Sequence, residues 1–170
     1  PLAGVSIADS TALAMVAETA STVGLSSAQG PGLLHEGSDV AQAAMRRAFD
    51  EMIGNREGPA AVFAGGISQA LVVDDILSSL PEAIEREDDD AFGNQLRLAL
   101  QLLRADVGVR VLHIQMDGGN FDTHKDHRSQ HDRNMESLGR SLAAFSQDLA
   151  DHNLADRVLI ATTSEFGRRP

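Results

Sequence analysis

The hydrophobic pattern of residues 107–169 switches from strand-like to helical and back, and this constrains the fold more tightly than any other feature of the chain. Val107, Val109, Val111, Leu112, Ile114 and Met116 mark a first strand over residues 107–116. Met135, Leu138, Leu142, Phe145 and Leu149 then recur at spacings of three and four, which puts them on one buried helical stripe. Val158, Leu159, Ile160 and Ala161 predict a second strand over residues 157–163. Two short apolar runs joined by one helix predict a parallel βαβ unit, a connection that is almost always right-handed. Ligands of open parallel sheets bind outside the carboxyl ends of the strands. A polar loop follows each predicted strand at that end, residues 117–127 after the first and Ser164 to Arg169 after the second.

The preceding 106 residues read as mainly helical. A short strand is expected over residues 2–7. A helix capped by Asp9 or Ser10 is expected over residues 12–22, stopped at Gly24, with a loop over residues 26–37 holding His35. Ser38 or Asp39 caps a second helix through Ile53, with Val40, Ala44, Ala48 and Met52 facing inward and Gly54 ending it. Gly58 and Pro59 break the chain, and residues 60–66 read ambiguously. A third helix is expected from Ser68 to Leu80, stopped by Pro81. A fourth, over residues 91–105, buries Phe92, Leu96, Ala99, Leu100 and Leu103 behind an acidic lead-in that suits its dipole. Residues 1–106 are thus a mainly helical, variable region and residues 107–170 a βαβ core segment of the same domain. Beginning at Pro1 and stopping just past a polar loop, the chain reads as an incomplete domain, a piece of a longer protein.

Charge and composition exclude several functions. A net charge of −11 argues against nucleic acid as a partner, which calls for a basic stripe. The chain has no cysteine, hence no disulfide, thiolate metal site or cysteine nucleophile. It also lacks Trp and Tyr, so a stacking platform for sugars or bases is not expected. No apolar run approaches about 18 residues, so no membrane span is expected. The acidic run from Glu85 to Asp90 reads as a solvated helix entry, since it lacks the glycine turn and terminal glutamate of an EF-hand loop.

The chemistry-bearing residues sit in the two loops. Asp117, Asp122, His124, Asp126, His127 and His131 fall close together, and carboxylate with imidazole is the ligand set of hydrolytic zinc, manganese or iron sites. Asp122 and His124 are two apart and project to the same side of an extended segment. If the chain turns helical near Lys125, His127 and His131 become an i, i+4 pair on one face, an alternative chelating pair. The competing reading makes Asp122 a helix cap and the two later histidines surface residues. In the second loop Glu165 offers a metal ligand or proton acceptor, and Arg168 or Arg169 a forked clamp for an oxyanion. The competing reading there is an Arg–Glu pair that fixes the loop. Ser164 lacks the preceding glycine elbow of a nucleophile. His113, inside a strand, reads as a hydrogen-bonded core residue, and His152 as part of the turn leaving the long helix.

Phe121, Asp122, Thr123 and His124 are followed by the helix carrying Leu142 to Phe145 and by Asp156 to Leu159. With Ser164, Glu165, Phe166, Gly167 and Arg168, this succession resembles the domain-of-unknown-function family 1501. Residues 107–169 carry the resemblance; residues 1–106 resemble only the family's variable middle. The family is bacterial and generally exported, often behind a twin-arginine signal, and is grouped with the alkaline phosphatase and sulfatase-like superfamily. The resemblance implies an α/β, parallel-sheet, alkaline-phosphatase-like core, with metals held at strand ends. It implies a metal-dependent hydrolase or transferase acting on a small-molecule or polymer phosphate or sulfate ester, in the periplasm or outside the cell. Asp122, His124 and Glu165 match its metal-ligand motifs and Arg168 its anion-stabilising position. The divalent metal would be zinc, manganese, calcium or magnesium. His127 stands where relatives usually show Gln, as an added ligand or a neutral change. A non-catalytic envelope protein on the same fold is the alternative.

Overall fold

The computed structural model describes residues 3–8, 22–25, 38–54, 56–86, 90–116 and 121–164. Three short strands, β1 (Gly4–Ile7), β2 (Thr22–Leu25) and β3 (Val111–Ile114), form a parallel sheet in the order β2-β1-β3. Its helices are α1 (Asp39–Ile53), α2 (Pro59–Ser78), α3 (Ala91–Arg104) and α4 (His127–Asp151). The chain is therefore α/β with a parallel sheet, as expected. All three strands run the same way, so the segments after Ile7, Leu25 and Ile114 leave from one edge of the sheet. That edge is where parallel sheets place ligands.

β1 is the centre of the sheet and every one of its residues is buried. Val5 and Ile7 enter the main core with Leu25, Phe92, Leu96, Leu98, Leu100, Leu102, Phe145 and Leu149. On the other face of β1, Ser6 pairs in register with His113 of β3, and the two side chains share a 3.2 Å hydrogen bond. His113 is thus the hydrogen-bonded strand residue its alternation implied.

α3 is buried around most of its circumference, adding Leu98 and Leu102 to the expected stripe, while Leu103 is only half-buried. A helix buried over most of its surface belongs in the middle of a core. It packs against α4 and β3. Its polar residues Arg97, Gln101 and Arg104 recur at spacings of three and four and reach the irregular segment 80–86. Arg97 donates to Ile84 O (3.4 Å), Gln101 to Pro81 O (2.7 Å) and Arg104 to Glu82 O (3.0 Å). Those carbonyls have no helix or ladder partner, so the side chains of α3 satisfy them instead.

α4 buries Ser141, Phe145, Asp148 and Leu149, half-buries Leu138 and Leu142, and leaves Met135 exposed at its outer end. Buried Asp148 accepts from Arg86 in an ion pair that joins segment 80–86 to α4. Asp90 caps α3, accepting from Gly93 N–H at 2.9 Å, and also accepts from Ser137 Oγ and from Arg140 at 3.4 Å, both on α4. The acidic run before α3 therefore does more than face solvent, because its last residue bridges two helices.

Several expectations need correction. The helix over residues 12–22 falls mostly on residues outside those described, but Thr22 to Leu25 are strand β2, so Gly24 is not a helix stop. α2 begins at Pro59 rather than Ser68: Gly58 takes φ 61° and Pro59 supplies the first helical residue. Ser38 does cap α1, its hydroxyl accepting from Ala41 N–H. Yet Val40, Ala44, Ala48 and Met52 are exposed, and α1 buries no residue; among the described elements it packs chiefly against α2. The second strand of the βαβ unit does not form. A 3-10 turn at Ala155–Arg157 is followed by residues 158–164 in no regular structure, with Leu159 93% exposed. A short apolar run makes a strand only when a neighbouring ladder takes up its N–H and C=O groups, and no described strand pairs with this segment. The parallel partner of β3 is instead β1, which lies within residues 1–106.

Among the described residues, α2 is long and apolar enough by length and composition to cross a membrane. This corrects the expectation, drawn from apolar runs alone, that no segment is long and apolar enough to span a membrane. Its Asp74 is buried, and its Asp75 forms a forked pair with Arg46 of α1, at 2.5 and 2.7 Å. Two aspartates side by side, one engaged with the neighbouring helix, suit a helical hairpin better than a lipid-facing helix.

Candidate functional site

β3 ends at Ile114, and the chain returns to regular structure at His127, the first residue of α4. Residues 121–126 come, in sequence, after the carboxyl end of β3 and just before α4. Residues 121–123 are in no regular structure and residues 124–126 form a bend. Asp122 and His124 meet, His124 Nε2 lying 3.5 Å from Asp122 Oδ2. Asp122 does not cap the helix. That position belongs to Asp126, in the left-handed conformation at φ 49°, which makes no side-chain cap bond.

The left-handed residue turns the backbone between His124 and His127, and the two histidines part company. His127 Nδ1 shares a hydrogen bond with the Thr123 hydroxyl. Its ring stacks on that of His131 one helical turn later, with centroids 5.3 Å apart and planes at 28°. Phe121 meets the His131 ring edge-on, at 6.2 Å and 77°. No three His, Asp or Glu side chains converge among the described residues, so the loop offers two pairs rather than one cluster. Thr123 and Phe121 were not singled out from sequence as partners of the histidines. The signal was present, since Thr123 precedes His127 by the same four residues that separate His127 from His131. Glu165 and Arg168, like Asp117, lie outside the described residues. Ser164 is exposed and follows an irregular segment.

The Asp122–His124 separation has chemical meaning. Two ligands held 2.0–2.2 Å from a tetrahedral ion lie about 3.3–3.6 Å apart. Ligands at right angles on a magnesium ion lie about 2.9 Å apart, and magnesium takes oxygen rather than imidazole. One carboxylate oxygen and one imidazole nitrogen at 3.5 Å therefore fit a zinc-like edge. Both side chains are exposed, Asp122 at 65% and His124 at 86%, so the pair is open to solvent and to a large ligand.

The family model described as "Protein of unknown function (DUF1501)" matches residues 18–170. No curated protein and no solved structure matches the chain.

Proposed function

The chain belongs to the DUF1501 family, and from that premise we propose that it is part of a metal-dependent hydrolase or transferase acting on a phosphate or sulfate ester. The reading includes an alkaline-phosphatase or sulfatase-like core and an exported protein, periplasmic or extracellular. The single observation that supports it is the Asp122–His124 pair at 3.5 Å, in the segment between β3 and α4. Asp122 and His124 would hold the divalent ion, zinc, manganese, calcium or magnesium, with Glu165 completing the set by its motif position. A bound divalent ion polarises the ester oxygens and lowers the pKa of the attacking group. Arg168, at the family's arginine position, clamps the anionic ester by a forked hydrogen bond and offsets the charge that develops on it.

A second reading draws on the exposure of Asp122 and His124. Electrostatic catalysis works best in a water-excluded site, and a ligand pair this open suits a non-catalytic envelope protein that binds an anionic polymer or uses the metal structurally.

Metal analysis of the full-length protein and its Asp122→Ala and His124→Ala variants tests the site, with loss of one equivalent expected in each. Unchanged metal content in both variants removes the proposal. Generic phosphate and sulfate esters then separate the two readings. Turnover abolished by a chelator supports the enzyme, whereas stability lost on chelation without turnover supports the binder.

A further inference from the structure

We propose that His127 and His131 form a second metal site, distinct from the Asp122–His124 pair, which takes a borderline transition ion such as zinc, nickel or copper(II). Imidazole is a good ligand for all three, and two histidines at i, i+4 on one helical face are a known zinc-chelating arrangement.

Three observations carry it. First, the ring centroids of His127 and His131 are 5.3 Å apart. Two imidazoles bound through Nε2 to one tetrahedral ion have centroids about 5.2 Å apart, from a metal–nitrogen bond near 2.1 Å. The rings are 28° from parallel, so binding needs rotation about χ2, a soft torsion in histidine. Second, the Thr123 hydroxyl engages His127 at Nδ1. In the tautomer whose Nδ1–H donates to the hydroxyl oxygen, Nε2 carries the free lone pair. A partner on the far nitrogen is the usual way a ligating histidine has its tautomer and ring orientation fixed. Third, Phe121 packs edge-on against His131, a wall on the side of the ring pair towards the loop. His131 is exposed and His127 half-buried, so solvent has a route to the pair.

The two sites differ in chemistry. Asp122–His124 is carboxylate with imidazole in the loop before α4, whereas His127–His131 is two imidazoles on the first turns of α4. Arg128 stands where a helix-borne zinc protease motif has its glutamate base. The second site therefore binds metal without a general base of its own.

The test is calorimetric titration of metal-stripped, tag-free full-length protein with Zn²⁺ and then Ni²⁺ at about pH 8, where free imidazole is neutral. Wild type, His131→Ala, His127→Ala, Thr123→Val and the double variant Asp122→Ala/His124→Ala are compared. The expected result is one binding step lost in His131→Ala and in His127→Ala. Thr123→Val should weaken the same step about 10-fold, the lower end of the effect of removing an outer partner of a metal-bound histidine. Asp122→Ala/His124→Ala should leave that step in place, whatever becomes of the other. A His131→Ala isotherm that superimposes on wild type overturns the inference. So does loss of all Ni²⁺ binding in Asp122→Ala/His124→Ala. Since His131 is exposed, its truncation leaves the core untouched, and a circular dichroism spectrum identical to wild type verifies that.

Discussion

Asp90→Ala should destabilise the protein by about 2–2.5 kcal/mol, far more than a residue in a solvated acidic run would cost. The figure is the sum of three contacts. Removing an Asp from a helix N-cap costs about 1 kcal/mol, and Asp90 is the cap of α3, its carboxylate 2.9 Å from Gly93 N. The other carboxylate oxygen accepts the Ser137 hydroxyl. A hydrogen bond to a charged group contributes roughly 1.5–3 kcal/mol when sheltered. Asp90 keeps 35% side-chain exposure, so about 1 kcal/mol is the appropriate share. The Arg140 contact at 3.4 Å is half-exposed and adds a few tenths of a kcal/mol. For a chain of this size the total is a fall in Tm of roughly 4–10 °C. Asp90→Asn keeps an equivalent cap and should cost under about 1 kcal/mol. Urea unfolding of wild type, Asp90→Ala, Ser137→Ala and the double variant measures the link between α3 and α4 directly. The cycle should show a coupling of about 0.5–1.5 kcal/mol. An Asp90→Ala cost within about 0.5 kcal/mol of zero, the range of an ordinary surface substitution, would refute the reasoning, as would strict additivity in the cycle.

Two further outcomes follow from the same framework. In acid, desolvation opposes ionisation of Asp90 most strongly, but the bonds from Ser137 and Gly93 and the nearby Arg140 outweigh it and hold its carboxyl below the usual range. Asp75 is held low chiefly by its hydrogen bond to Arg46. Both native values lie below the unfolded one, so the unfolded chain binds more protons and stability rises with pH through that window. Their contribution is complete above about pH 4, the unfolded carboxyl value, and is lost as pH falls through the native values. Unfolding midpoints measured at decreasing pH should drop there, and Asp90→Asn should flatten the drop. Separately, Asp148→Asn leaves Arg86 half-buried without its carboxylate. It should cost about 2–3 kcal/mol, short of the 3–5 kcal/mol for a fully buried pair because Arg86 keeps some solvent. Replacing both partners by apolar residues should recover much of it in the same urea assay.

The elements legible in the sequence are those whose ends carry their own chemistry. Ser38 before α1 and Asp90 before α3 accept from the N–H three residues on, and the expected starts are the observed ones. α4 was legible from its apolar spacing, although only Phe145 and Leu149 of the five stripe residues are fully buried. Periodicity reports which residues share a face, not what that face meets. Val40, Ala44, Ala48 and Met52 share a face of α1 that is exposed in the structure. The same limit accounts for residues 158–164, whose apolar run has no ladder among the described strands. Strand β2 was missed because four residues, Thr22 to Leu25, carry too little pattern of their own. Their place is set by register against β1. The Arg86–Asp148 pair joins residues 62 positions apart, a distance no local pattern reports.

The site was legible to the same extent and for the same reason. A spacing of two in the loop brings Asp122 to His124, and a spacing of four on a helix brings His127 to His131. What spacing could not give is that these pairs do not merge. Both fall within ten residues of one another, and composition alone would pool them into one ligand set. Between the pairs lies the bend at residues 124–126, which ends in Asp126 with positive φ at the start of α4. Asp and Asn enter that region more readily than most residues, so a local preference contributes to the arrangement of these side chains. A glycine at 126 would keep the left-handed turn available without fixing it. The two pairs would then be free to exchange partners, and metal binding at either would pay an added ordering cost.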